Sequence, residues 1–206
     1  MRAITNATSF ILLTSILCAP TPVSATQPRL PEAVIEEIRP VSFAERCKPI
    51  ADLIAKGEGD WNAVNRGYAG DTPGGIRSIT GKTFAQHTVG EVLSMQRYRI
   101  YAVGRYQFIP RTLRQAVSWA GVKHSDLFTP ETQDKLFAAL LEHKRPAVGA
   151  YLRGGGSLQR ALDELAREWA SLPYRSGGSY YAGRNGNRSH VTIDEMVVAL
   201  NKGRAL

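Results

Sequence analysis

The sequence predicts an α+β fold, predominantly α-helical, on three observations. Thr88–Glu91 and Thr192–Glu195 are Thr-x-x-Glu capping boxes, and Thr129-Pro130-Glu131 joins an N-cap to a proline at the first helical position. Leu158, Ala161, Leu162, Leu165, Ala166 and Trp169 recur at the spacing of one helix face. Between Val64 and Thr83, in contrast, glycines 67, 70, 74, 75 and 81 punctuate short β-prone pieces around the turn Asp71–Gly75. That stretch reads as a small β-hairpin lobe.

In chain order, Arg2 precedes the apolar run Phe10–Ala19, then Pro20, Pro22 and the small residues Val23-Ser24-Ala25. This is the charge, apolar run and cleavage site of an export signal, too short to span a bilayer. Residues 1–25 are therefore expected to be a signal peptide, leaving a periplasmic or secreted chain with no stable membrane anchor. Leu17 stands where a lipoprotein signal needs a small residue before Cys18, which argues against lipidation. Residues 26–42, with Pro28, Pro31 and Pro40, form a leader. The folded domain is expected over 43–206.

Within it, Ile50, Leu53 and Ile54 suit an amphipathic helix from Phe43 to Lys56, stopped by Gly57 and Gly59. After the glycine-rich stretch, Thr88 opens a helix to about Gln96. Tyr101–Pro110 leads into one that ends near Gly121, and Thr129 opens another to about Lys144. Ser157 caps the next, and Thr192 the last, which runs to Leu200. Pro173–His190, rich in Gly, Ser, Tyr, Asn and Arg, is a loop long enough to have a function of its own.

With 43% hydrophobic and 21% charged residues, disorder is excluded as the default. The formal net charge of +8, or +7 once Arg2 leaves with the signal, points to an anionic partner. The basic residues are not clustered into a run and match no nucleic-acid-binding motif, so nucleic acid is not the expected partner. Loss of the signal also removes Cys18. Cys47 then stands alone, a packed thiol with no internal disulfide. The four histidines lack metal-ligand spacing, and neither a metal nor another cofactor is expected.

The chemistry centres on Glu58 in Lys56–Trp61. A carboxylate at the C-terminal end of a helix faces the unfavourable end of the macrodipole, and burial near Trp61 would raise its pKa. A general acid requires such a group. On spacing alone, a surface glutamate in a helix-to-loop turn remains the alternative. Asn62 and Asn65 follow closely. Gly104-Arg105-Tyr106-Gln107 sits at a strand-to-helix junction, where a glycine lets a ligand approach and an amide can hold hydroxyl groups.

These pieces resemble the lysozyme-like lytic transglycosylases, the phage lambda endolysin type most of all. Glu58-Gly59 matches the family's acid step, and Val103–Gln107 its A-G-R-Y-Q segment. Pro130–Asp134 matches P-x-x-Q-D, Trp169–Pro173 is W-A-S-L-P letter for letter, and Gly178–Tyr181 follow as Gly, Ser and tyrosine. The matches run in order through most of the chain from Ile50 to Leu200.

The resemblance implies a lysozyme-like fold with a substrate cleft between a β lobe and a helical lobe. It also implies peptidoglycan glycan strands as the substrate, cut between N-acetylmuramic acid and N-acetylglucosamine with formation of a 1,6-anhydro product. Glu58 would be the catalytic acid and base. Gln107, Tyr106, Gly104, Arg105 and Asn62 would bind sugar, and Tyr181 or Tyr180 would bond the acid. Two alternatives stay open: a hydrolytic muramidase with Asp71 as second carboxylate, and a non-catalytic wall-binding module for secretion. An export signal on such a domain suggests an enzyme acting on its own cell's wall, with a wall-spanning assembly as partner.

Overall fold

A computed structural model of the chain describes residues 39–68, 70–183 and 187–206; the expected signal peptide and nearly all of the leader lie outside them. Pro40–Leu206 forms one compact unit. Helix α1 (Phe43–Glu58) is opened by a capping box between Ser42 and Glu45 and buries Cys47, Ile50, Ala51, Leu53 and Ile54. Burial pushes the Cys47 thiol up to about 12, as befits a packed residue rather than a nucleophile. The helix runs through Gly57 and ends at Gly59, whose φ of 123° only glycine adopts readily. Glu58 is thus the last helical residue.

The β lobe is smaller than its glycines suggest, and differently paired. Strand β1 (Val64–Asn65) runs antiparallel to β2 (Ala102–Val103), in register Val64↔Val103. Among the described residues of 64–83 no hairpin forms. Gly75–Thr80 is a short helix, α2, because Ile76 and Ile79 lie three residues apart and face the core together. Ile76 N–H donates to the Asn62 carbonyl at 2.9 Å, fixing that helix beside β1.

Helices α3 (Val89–Met95), α4 (Pro110–Ala120), α5 (Pro130–His143), α7 (Leu158–Glu168) and α8 (Ile193–Ala205) start where the capping signals place them. Helix α8 continues to Ala205, beyond the expected Leu200. A helix not foreseen, α6 (Pro146–Leu152), also begins on a proline at its first position. Helix α8 lies on α1 so closely that a Cβ on Gly203 would sit 2.2 Å from the Arg46 carbonyl oxygen. Glu168, held by Lys144 at 2.6 Å and Arg145 at 2.5 Å, joins the end of α7 to the end of α5.

Candidate active site

A groove of about 660 Å³ opens beside the end of α1. One wall carries Lys56, Gly57, Glu58, Gly59 and Asp60; the other carries Asn62–Asn65, Gly70, Thr72, Gly74, Gly75 and Arg77. Two close backbone approaches shape it. A Cβ on Gly75, at φ +59°, would lie 2.1 Å from the Asn62 carbonyl oxygen. One on Gly57 would lie 2.5 Å from Ser171 Cβ.

That second approach brings Ser171 to the acid. Ser171 Oγ donates to Glu58 Oε1 at 2.5 Å. Ser171 lies in the turn after α7, and its carbonyl accepts from His190 N–H at 2.8 Å. Burial holds the Glu58 carboxyl above its ordinary range; the Ser171 side chain and backbone and the charge of His190 oppose this without cancelling it. Glu58 is therefore a partly buried acid that holds its proton to higher pH than an ordinary glutamate does.

Asp71 is in a different condition. Its carboxylate accepts from Arg66 N–H at 2.8 and 3.0 Å, Tyr68 N–H at 3.0 Å and the Thr72 hydroxyl at 2.8 Å. Burial acts to raise its pKa, but these bonds outweigh it and the group stays below the usual range. The groove wall passes through Gly70 and Thr72, while the carboxylate between them points back into its own loop.

Gln107 reaches the groove indirectly. It is the one non-glycine residue with positive φ among those described, at 46°. Its amide is fixed at both ends: Nε2 donates to the Gly104 carbonyl at 2.8 Å, and Oε1 accepts from Asn65 Nδ2 at 2.7 Å. Asn65 lines the groove and also accepts from Gly70 N–H at 3.0 Å. Asn62 lines it too, its Oδ1 accepting from Phe84 N–H at 2.9 Å.

Several expected ligand contacts are corrected by the packing. Tyr106 is 2% exposed, stacks on Phe137 with ring centroids 4.1 Å apart and donates its hydroxyl to Asp134. It is a core residue, and burial followed by the Asp134 bond raises its pKa further from use. Gly104 admits no ligand. A Cβ there would meet Gln133 Oε1 at 2.3 Å, so it is a protein amide that approaches the glycine. Arg105 lies 4.6 Å over the Trp61 ring and pairs with Asp52 at 2.5 Å.

Neither tyrosine meets the acid. The Tyr181 hydroxyl donates to the Arg167 carbonyl at 2.8 Å, and the Tyr180 ring packs between Tyr174 and Tyr181. Ser171 takes the place expected for them.

Three residues not singled out in the sequence therefore matter. Ser171 had a signal, a polar residue between the buried Trp169 and Leu172. Fully buried Gln133, within the P-x-x-Q-D match, braces the site. Its Nε2 donates to the Trp61 carbonyl at 3.1 Å, and its Oε1 accepts from Arg105 N–H at 3.0 Å. It thereby ties the segment after Glu58 to the segment before Gln107. His190 had no signal, since only chain closure brings it beside Ser171.

No curated protein matches the chain. The Endolysin family model does, over residues 49–198, which takes in Glu58, both groove walls, Gln107, Gln133 and Ser171. With about three-quarters of its length so matched, the chain belongs to the Endolysin family, a family of peptidoglycan-degrading proteins.

Proposed function

We propose that the protein is a lytic transglycosylase that cuts the β-1,4 bond between N-acetylmuramic acid and N-acetylglucosamine, with Glu58 as its only proton-transfer group. The observation that carries this reading is where the two carboxylates stand: Glu58, its pKa raised by burial, lines the groove, whereas the Asp71 carboxylate is bonded into its own turn and does not line it. A hydrolase of the usual kind needs a second free carboxyl across the sugar.

In the first step the Glu58 carboxyl proton passes to the glycosidic oxygen as the C1–O bond breaks. The carboxylate left behind keeps the Ser171 hydrogen bond, which stabilises its charge. It then takes the proton of the muramyl 6-hydroxyl while that oxygen bonds to C1. The anhydro ring closes and Glu58 returns to its starting state. Asn65 and Asn62 face the sugar. Gln107 acts through Asn65 as a positioning residue, and its positive φ is the backbone strain expected where a side chain must be held in one place.

Mass analysis of digested peptidoglycan tests the chemistry. Anhydro-muropeptides are expected. Products one water heavier would make the enzyme a muramidase, and absence of products would make it a binding module. The reading also places the protein outside the cytoplasm, exported by residues 1–25. N-terminal sequencing of the mature protein should find Thr26 first; a retained Met1 would overturn the export assignment.

A further inference from the structure

The positive charge of the chain is unevenly placed. Residues 59–121 contain eight Lys and Arg against three Asp and Glu, so five of the eight net charges lie in under a third of the sequence. All three acids are engaged: Asp60 accepts from Asn62 N–H, Asp71 from its turn, and Glu91 from Thr88 N–H. In the helical part several cations are paired, Lys144 and Arg145 with Glu168, Arg153 with Glu142, and Arg175 with Asp163, while Lys48, Lys135, Arg160 and Lys202 form no ion pair among the described residues. Among the described residues no such ion pair forms for Arg77, Arg97, Arg99 or Arg114, all of them exposed.

These arginines follow a track. Arg77 lines the groove itself. The residues next to Asn65 and Arg77, Arg66 and Ser78, line a second hollow of about 430 Å³ together with Arg99. Arg99 also lines a third, of about 390 Å³, with Glu91 and with Tyr98, which is 87% exposed. Ser94 links that hollow to a fourth, of about 440 Å³, with Arg97 and Arg114. The hollows follow one another, so a path with five arginines, Arg66, Arg77, Arg97, Arg99 and Arg114, and one carboxylate, Glu91, leaves the groove and crosses the surface of residues 66–114.

We propose that this track binds the carboxylates of the peptide stems borne by the glycan strand in the groove. The inference rests on peptidoglycan being the substrate. Each muramyl unit then carries a short peptide with free carboxylates, and a strand lying in the groove must send its stems out over one wall or the other. The wall leading to Arg77 offers guanidinium groups that form no ion pair among the described residues, and their planar donors fit carboxylates in pairs. Tyr98 offers an apolar face for the stem between its charges.

The test compares wild type with Arg97→Gln/Arg99→Gln/Arg114→Gln on intact peptidoglycan and on the same polymer stripped of its stems by an amidase. The substituted side chains lie outside the groove and are exposed, and far-UV circular dichroism with thermal melting checks the fold. Cleavage of intact polymer at low salt should fall about tenfold, three exposed ion pairs' worth. The difference should fade at high salt, and cutting of stripped strands should be unchanged. Equal rates on both polymers, or equal losses on both, would overturn the proposal.

Should wild type cut neither polymer, the substrate reading fails, and cosedimentation reads the track on its own. Binding to intact polymer that drops both with the triple substitution and with stem removal supports it. Binding that survives stem removal and is displaced by polyphosphate assigns the track to phosphate instead and overturns it. Wild-type binding whose salt dependence is the same with and without stems overturns it as well.

Discussion

Glu58 lines the groove and Asp71 sits between two residues that line it, Gly70 and Thr72, yet their surroundings make them different acids. Glu58 ends a helix, partly buried, with one side-chain hydrogen bond from Ser171 and its pKa raised. Asp71 belongs to a loop in which two backbone N–H groups and a hydroxyl converge on it, and its pKa is lowered. Residue type and nearness to a cleft do not separate them. Solvation and the direction of nearby donors do, because burial favours the neutral form and several donors favour the charged one. The difference fits the proposed role of the helix end in proton transfer and leaves the loop as scaffold.

The comparison breaks most severely at Glu58→Gln. Loss of the acid should cut the rate on peptidoglycan by roughly a thousandfold. The same change should leave the protein more stable at neutral pH. As pH rises from the ordinary carboxyl value near 4.5 through the raised one, the folded state holds the Glu58 proton longer than the unfolded chain does. Wild-type stability therefore falls across that window, whereas the amide variant should lack this fall. Thermal melting against pH would show the two curves diverging upwards from about that value. Unchanged activity would remove Glu58 from the chemistry altogether.

Gly57→Ala probes the same region through its support. The new methyl would meet Ser171 Cβ at 2.5 Å, and relieving that contact should cost about 1–2 kcal/mol despite the better helix propensity of alanine. Urea unfolding measures the loss. Because the Ser171 bonds lower the Glu58 pKa, their displacement should move the alkaline limb of the pH–rate profile upwards.

Asp71→Asn should matter least. One acceptor position and the negative charge are lost from the turn, costing about 1 kcal/mol, with activity held within a few-fold. A loss approaching that of Glu58→Gln would erase the distinction and favour hydrolysis by two carboxylates.

The helices were legible because their ends are written locally. Ser157, Thr88, Thr129 and Thr192 each satisfy an orphan N–H of the helix that follows, and the apolar spacing decides which face turns inwards. Helix α6 was not foreseen although Pro146 marks its start, because its seven residues offer little periodicity. The glycine-rich stretch misled: its turn residues are consistent with either a hairpin or a turn into α2. The pairing of Val64–Asn65 with Ala102–Val103 depends on partners far along the chain.

Of the site, sequence determined the acid, its place at a helix end, and the motifs around Gln107, Gln133 and Trp169. The helix end follows from local periodicity and glycine chemistry; the acid and the motifs follow from the resemblance to the lysozyme-like lytic transglycosylases. Tertiary structure alone decided which members of those motifs face a ligand. It turned Tyr106 into the core, filled the space beside Gly104 with Gln133, and gave Glu58 a serine instead of a tyrosine. Contact across more than a hundred residues, as between Ser171 and Glu58, is set by how helices and turns close on one another. Local sequence carries no record of that closure.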